Sequence, residues 1–165
     1  MEGGLRVPLI VRWPGHVQAG RVTDDIVHVT DLYATLASAG GAPLPTDRPI
    51  DGLNQWDWWT GGREKSAREG FLFYIKNELR AVKWRHWKLH FIFENEPNSG
   101  TNHLETPWLF NIKRDPKEET DAAMEDGWVR GPMRKMIRAF DETLKAHKPI
   151  PPGIGDSYNP AAPAT

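Results

Sequence analysis

Residues 79–92 read Leu79-Arg80-Ala81-Val82-Lys83-Trp84-Arg85-His86-Trp87-Lys88-Leu89-His90-Phe91-Ile92. Two runs rich in β-branched and aromatic residues flank Arg85-His86, a dipeptide of the length of a tight hairpin turn. In the second run Trp87, Leu89 and Phe91 alternate with Lys88 and His90, so a strand presents the three apolar side chains on one face. The pattern extends outward on both sides. Phe71 to Ile75 precedes the hairpin across the short turn Lys76-Asn77-Glu78. Trp108 to Ile112 follows it after a longer polar loop, Phe93 to Pro107, that contains Gly100. Four such strands predict an antiparallel sheet. Arg80, Lys83, Arg85 and Lys88 read first as charges on a wet sheet edge, where they discourage pairing with other chains, with an anion patch as the alternative.

The apolar face of that sheet needs a cover, and the last periodic segment supplies one. Met133, Met136, Ile137, Phe140 and Leu144 recur at helical spacing, with Pro132 suited to the first helical position and Pro149 ending the run. Upstream, Arg6 to Trp13 is a near-continuous apolar run closed by Pro14-Gly15, the pattern of a strand covered on both faces. Val29, Leu32, Tyr33, Leu36 and Ala37 predict a helix from Thr30 to Ala39, with Thr30 or Asp31 as its cap and Gly40-Gly41 as its stop. Ala42 to Glu69, rich in Pro and Gly, reads as a connecting loop. These segments divide the chain into a strand-helix-loop part at 1–62, a sheet-and-helix part at 63–148, and a Pro-rich tail at 149–165 that is expected to be extended or disordered.

Composition narrows the chemistry. Lys and Arg number 21 against 22 Asp and Glu in 165 residues, so no net field favours nucleic acid or an anionic membrane. No apolar run approaches the ~20 residues of a membrane-spanning helix, and Met1-Glu2-Gly3-Gly4 lacks the basic and apolar regions of a signal peptide. The absence of cysteine removes disulfides and any cysteine-derived nucleophile. His86 and His90 lie four apart, a chelating interval on a helix, but on a strand their side chains stand about 13 Å apart at ~3.3 Å per residue. Asp24-Asp25 reads as a solvated turn ahead of a helix. No Gly-x-Ser-x-Gly, His-Glu-x-x-His, dinucleotide or P-loop pattern occurs. The eight Trp fit core anchoring first; a stacking platform for carbohydrate in a free-standing binding module is the alternative, and an assembly-forming structural protein is a second one.

Several segments together resemble the arylsulfatases. Glu2-Gly3-Gly4-Leu5-Arg6-Val7-Pro8 is similar to that family's Glu-Gly-Gly-x-Arg-x-Pro stretch, and Trp13-Pro14-Gly15-His16 continues it. Asp31-Leu32-Tyr33-Ala34-Thr35-Leu36 resembles its Asp-Leu-x-Pro-Thr-Leu helix, with Ala34 where Pro is usual. Asp51-Gly52, Phe73-Tyr74, Ala81-Val82, Trp87-Lys88-Leu89-His90-Phe91, Leu109-Phe110-Asn111-Ile112 and Asp115-Pro116-Lys117-Glu118 follow in the family's order.

The resemblance implies an α+β fragment of an α/β, alkaline-phosphatase-like sulfatase, corresponding to the C-terminal portion alone. For a complete enzyme it implies a calcium ion and a formylglycine made from the cysteine of a Cys-x-Pro-x-Arg motif. None of the family's catalytic or metal positions maps onto this sequence, so the isolated chain is expected to be inactive. The resemblance also places the loop after the Lys-x-His-Phe strand near the mouth of the active site, which makes Asn98, Ser99, Asn102 and above all His103 candidates for a substrate rim. The strand Arg6 to Trp13 would belong to the sheet of the larger domain. It is expected to pair with another copy of the chain or with an N-terminal sulfatase half, or to stay mobile. Family members are often periplasmic, secreted or lysosomal, and nothing in these residues selects among those compartments.

Overall fold

A computed structural model describes residues 3–75, 77–94 and 100–148. Its centre is an antiparallel meander of four strands in the order β1-β2-β3-β4: β1 Gly70–Ile75, β2 Glu78–Trp84, β3 Trp87–Phe93 and β4 Asn102–Asn111. Consecutive strands pair because each connection is short enough to return the chain beside itself. At the β2–β3 turn Arg85 takes the left-handed conformation, φ 54°, that a tight hairpin of right-twisted strands requires. Glu69 holds it there: its carbonyl accepts from the Arg85 amide at 2.6 Å and its carboxylate from the guanidinium at 2.6 Å.

The predicted sheet is present, with one strand longer than expected. β4 starts at Asn102, because Asn102 and His103 pair with Phe93 and Ile92 before an irregularity restores register at Trp108 opposite His90. The extra residues between those two pairings form a bulge, which an edge strand tolerates, and Pro107 falls within it. The edge reading of the basic residues is corrected. β2 and β3 are the central strands, and Lys88 is buried, Arg80 lies between Glu78 and Glu94, and Arg85 is bonded to Glu69. Arg80, Arg85 and Lys88 thus each pair with a specific carboxylate.

The C-terminal helix, Arg130–Ala146 (α3), crosses one face, entered through a 3-10 turn at Gly127–Val129. Val129 and Met133, both fully buried, pack with Val82, Trp84, Trp87, Leu89 and Leu109. Phe140 meets Tyr74 at 5.5 Å farther along. The apolar alternation of β3 is thus buried under the helix as its period demands. Four of the eight Trp, namely Trp58, Trp59, Trp84 and Trp87, are buried, so the aromatic richness is used mainly for packing.

The first helix runs Val29–Ala39 (α1), starting one residue earlier than expected, and its cap is His28, not Thr30 or Asp31. The His28 ring accepts from the Thr30 amide, while Asp31 accepts from the His28 amide at 2.9 Å, a reciprocal capping arrangement. A single turn, Trp56–Trp59 (α2), lies inside the stretch expected to be loop. Ahead of α1, residues 6–12 form no helix or strand, contrary to the strand expected there; they are mostly exposed and make no main-chain hydrogen bond among the described residues. The tail at 149–165 lies outside the described residues.

Candidate functional site

Alternation along β3 turns Lys88 and His90 away from α3, onto the second face of the sheet. Sequence pattern alone assigns such residues to water, yet both are buried, at 2% and 7% exposure. The chain reaches them with Glu118, from the turn that follows β4. Glu118 Oε1 accepts from Lys88 Nζ at 2.9 Å, and Glu118 Oε2 lies 2.7 Å from His90 Nε2. The backbone of Glu118 is itself left-handed, φ 60°, in a turn where Asp115 accepts from the amides of Glu119 and Thr120. Burial acting alone would raise the Glu118 carboxyl; the hydrogen bonds from His90 and Lys88 overrule it and hold it down at about 2. Phe73, under the Lys88 ammonium at 4.9 Å, and Phe93 and Phe110, edge-on to the His90 ring, complete the enclosure. The signal for Lys88 and His90 was present in the Lys-x-His spacing, but the carboxylate that joins them lies 28 residues after His90.

A second buried carboxylate organises the N-terminal part. Asp31, with no solvent exposure, accepts from Arg68 through Nε at 2.8 Å and Nη2 at 2.5 Å, and from the amides of His28 and Leu53 at 2.9 and 2.8 Å. Gln55 Nε2 adds a longer contact at 3.3 Å. Burial would again raise this carboxyl, and the Arg68 and amide hydrogen bonds bring it below its ordinary value instead. Gln55 passes the network on, accepting from Ser66 and from the Ala67 amide.

The rim candidates are placed differently from these hubs. His103 and Asn102 are exposed, at the start of β4, and adjacent strand positions alternate between the two faces. They are therefore on a strand, not in the preceding loop, and are fixed to β3 by the pairings with Ile92 and Phe93. Asn98 and Ser99 lie outside the described residues. His86 sits exposed at the hairpin turn, where partial burial and the cations Lys113, Arg114 and Arg85 lower its pKa; it does not join His90. Asp25 accepts from the Ser66 amide, and the exposed Asp24 lies 3.6 Å from Lys113. Among the described residues no three His, Asp or Glu side chains converge as metal ligands.

Comparison with known proteins places this arrangement. The family model described as the C-terminal region of aryl-sulfatase matches residues 66–163, which take in the sheet, the Glu118 turn and α3. The chain belongs to the sulfatase family. Human steryl-sulfatase is 30% identical over 96% of this chain, and human arylsulfatase H 31% over 91%. The solved PsFucS1 sulfatase from Pseudoalteromonas sp. superposes with a TM-score of 0.72 at 26% identity, over 82% of this chain and 29% of that one. The chain spans about 30% of the length of the curated relatives. It is the C-terminal portion of the alkaline-phosphatase-like sulfatase architecture, with the four-stranded sheet and terminal helix in place.

Proposed function

We propose that this chain acts as the C-terminal part of a sulfuric ester hydrolase of the arylsulfatase type, closing and bracing an active site whose reacting groups are supplied by other residues. The observation that carries this reading is the way both buried carboxylates are spent. Asp31 and Glu118 are each ion-paired, with Arg68 and Lys88, and each accept further hydrogen bonds, which suits a scaffold and leaves neither free to act as a base or a metal ligand. In the complete enzyme, calcium and formylglycine would supply charge stabilisation and the attacking hydrate. The residues in hand do not fit either group: the sequence has no cysteine, and the described side chains offer no converging ligand set.

Within that role His103, with Asn102, Asn98 and Ser99, rims the substrate. An exposed imidazole on a strand tied to β3 is held firmly enough to donate to a sulfate oxygen. The test is hydrolysis of a chromogenic aryl sulfate. The 165-residue chain alone, with or without calcium, is expected to give no turnover above a buffer blank. Assembled with the remainder of a sulfatase it is expected to support turnover, with His103→Ala raising KM more than it lowers kcat. Turnover by the chain alone would refute the reading.

A further inference from the structure

The first half of α3 carries charge of the wrong sign for the start of a helix. Arg130, Arg134, Lys135 and Arg138 fall within a run that contains no Asp or Glu, and the first turn holds no acidic residue. The free amides at a helix N-terminus favour anions, and cations one turn apart repel each other, so the arrangement weakens the helix. Pairing does not offset this. None of the four makes an ion pair among the described residues, although Arg68, Arg80, Arg85 and Lys88 all do. Arg130, Arg134 and Arg138 recur at i, i+4 and i+8, so they form one stripe that advances ~6 Å at each step, an interval comparable with the length of one sugar residue. Arg134 and Arg138 are exposed and, with Ile137, Asp141, Glu142 and Lys145, line an open groove of about 500 Å³. Arg130 is half-buried, and its Nε has no hydrogen-bond partner among the described residues. Asp141 and Glu142 repel an anion from the far end of the groove, which leaves the first half of the helix as its attractive part. An aromatic ring stands at the head of the stripe. Trp128, two residues before Arg130, is the one exposed Trp of the eight, at 64%. Trp84 meets it edge-on at 6.2 Å, and Asp126 accepts from its Nε1 at 3.3 Å, so the ring is held while much of its surface stays in water.

We propose that this face of α3 binds a sulfated polysaccharide, the arginine stripe pairing with sulfate groups along the polymer and Trp128 stacking on a sugar ring. A guanidinium presents a planar fork of donors that matches an oxyanion. An indole face covers the C–H face of a sugar, an apolar surface rimmed by hydroxyls. An acidic peptide or a phosphate polymer would satisfy the stripe alone; the exposed ring at its head favours the sugar. The proposal deepens the functional reading above and rests on it, because it names a polymeric sulfate ester as the substrate class. It gives that polymer a second hold, on the helix and away from the rim candidates at the start of β4, which raises its local concentration at the enzyme.

The experiment titrates the 165-residue chain with dextran sulfate, uncharged dextran and polyphosphate in a calorimeter. Dextran sulfate is expected to bind and dextran not to bind. Arg134→Ala with Arg138→Ala, both at exposed positions, is expected to weaken dextran sulfate by about 10-fold or more and to flatten the dependence of its affinity on salt, without lowering the melting temperature of the chain. Trp128→Ala is expected to weaken dextran sulfate by about 5-fold while leaving polyphosphate and the salt dependence unchanged. Absence of dextran sulfate binding, or equal binding by the double arginine variant, overturns the proposal. An equal effect of Trp128→Ala on both polymers, or an effect on neither, overturns the assignment to a sugar polymer. None of these readouts needs turnover, so an assembled enzyme that fails to hydrolyse an aryl sulfate would remove the functional reading and leave the binding face standing.

Discussion

Lys88 Nζ and Glu118 Oε1 are joined at 2.9 Å with side chains only 3% and 0% exposed, and the same carboxylate reaches His90. One buried anion thus ties the turn after β4 to the middle of β3. The cost of burying these charges is offset only while all the partners are present.

Glu118→Gln should therefore be severe. It leaves the Lys88 ammonium buried without its counter-charge, and the expected loss is about 3 kcal/mol. Urea denaturation followed by Trp fluorescence reads it. Adding Lys88→Met to Glu118→Gln is expected to recover most of that loss, since the double variant removes both charges of this pair. A double variant no more stable than the single one would show that the charge pair is not the cause.

The same pair sets an acid limit. The Glu118 carboxyl is held at about 2 in the folded chain against an ordinary value of 4.5, so the folded state prefers the ionised form. A depressed carboxyl contributes stability that is complete above about 4.5 and is lost as pH falls towards about 2. Its full value is on the order of 3 kcal/mol, in line with the substitution. Urea midpoints between pH 5 and 3 are expected to fall steeply for the wild type and more gently for Glu118→Gln. Parallel slopes would remove Glu118 from the acid response.

Why the sheet was legible and this cluster was not follows from the range of the signals. The alternation Trp87, Leu89, Phe91 and the helical spacing Met133, Met136, Ile137, Phe140 are local, and each set is covered, wholly or in part, by the element that its period implies. β4 was read short because Asn102 to Pro107 carries no apolar alternation; its pairing comes from the backbone of Ile92 and Phe93, not from its own side chains. Lys88 and His90 looked solvent-facing for the same reason. Their partner Glu118 is distant in sequence and sits in a turn whose left-handed backbone no residue type announces. α1 was placed within a residue, but its cap was assigned to Thr30 or Asp31 because a His cap is uncommon and Asp31 is drawn inward by Arg68.

Asp31→Ala is expected to uncouple the N-terminal part from the sheet. It strips Arg68 of a bidentate partner and leaves the amides of His28 and Leu53 without an acceptor, which should cost about 3–5 kcal/mol. Limited proteolysis is the sensitive readout. Cleavage in the exposed stretch 42–49 should accelerate while the sheet and α3 remain as a resistant core. Uniform degradation would show that Asp31 supports the whole fold and not one part of it.

Two glycines provide a test of opposite sign. At Gly70 an added Cβ would lie 2.0 Å from the Lys83 carbonyl oxygen and 2.9 Å from Met136 Cε, so it would strike the paired backbone of β2 and the helix above it. The side chain of Met136 can move aside, but the strand cannot without breaking the register that carries Trp84 into the core. Gly70→Ala is expected to destabilise by about 1–3 kcal/mol. At Gly131, in the first turn of α3 and exposed, nothing lies within 4 Å of the added carbon. Gly131→Ala is expected to stabilise by about 0.5–1 kcal/mol, because alanine loses less backbone freedom on entering a helix. Thermal melts of the two variants beside the wild type decide the matter. Equal shifts in one direction would mean that the close approach of β1 to β2 at Gly70, and with it the packing of α3 on that strand pair, is not as described.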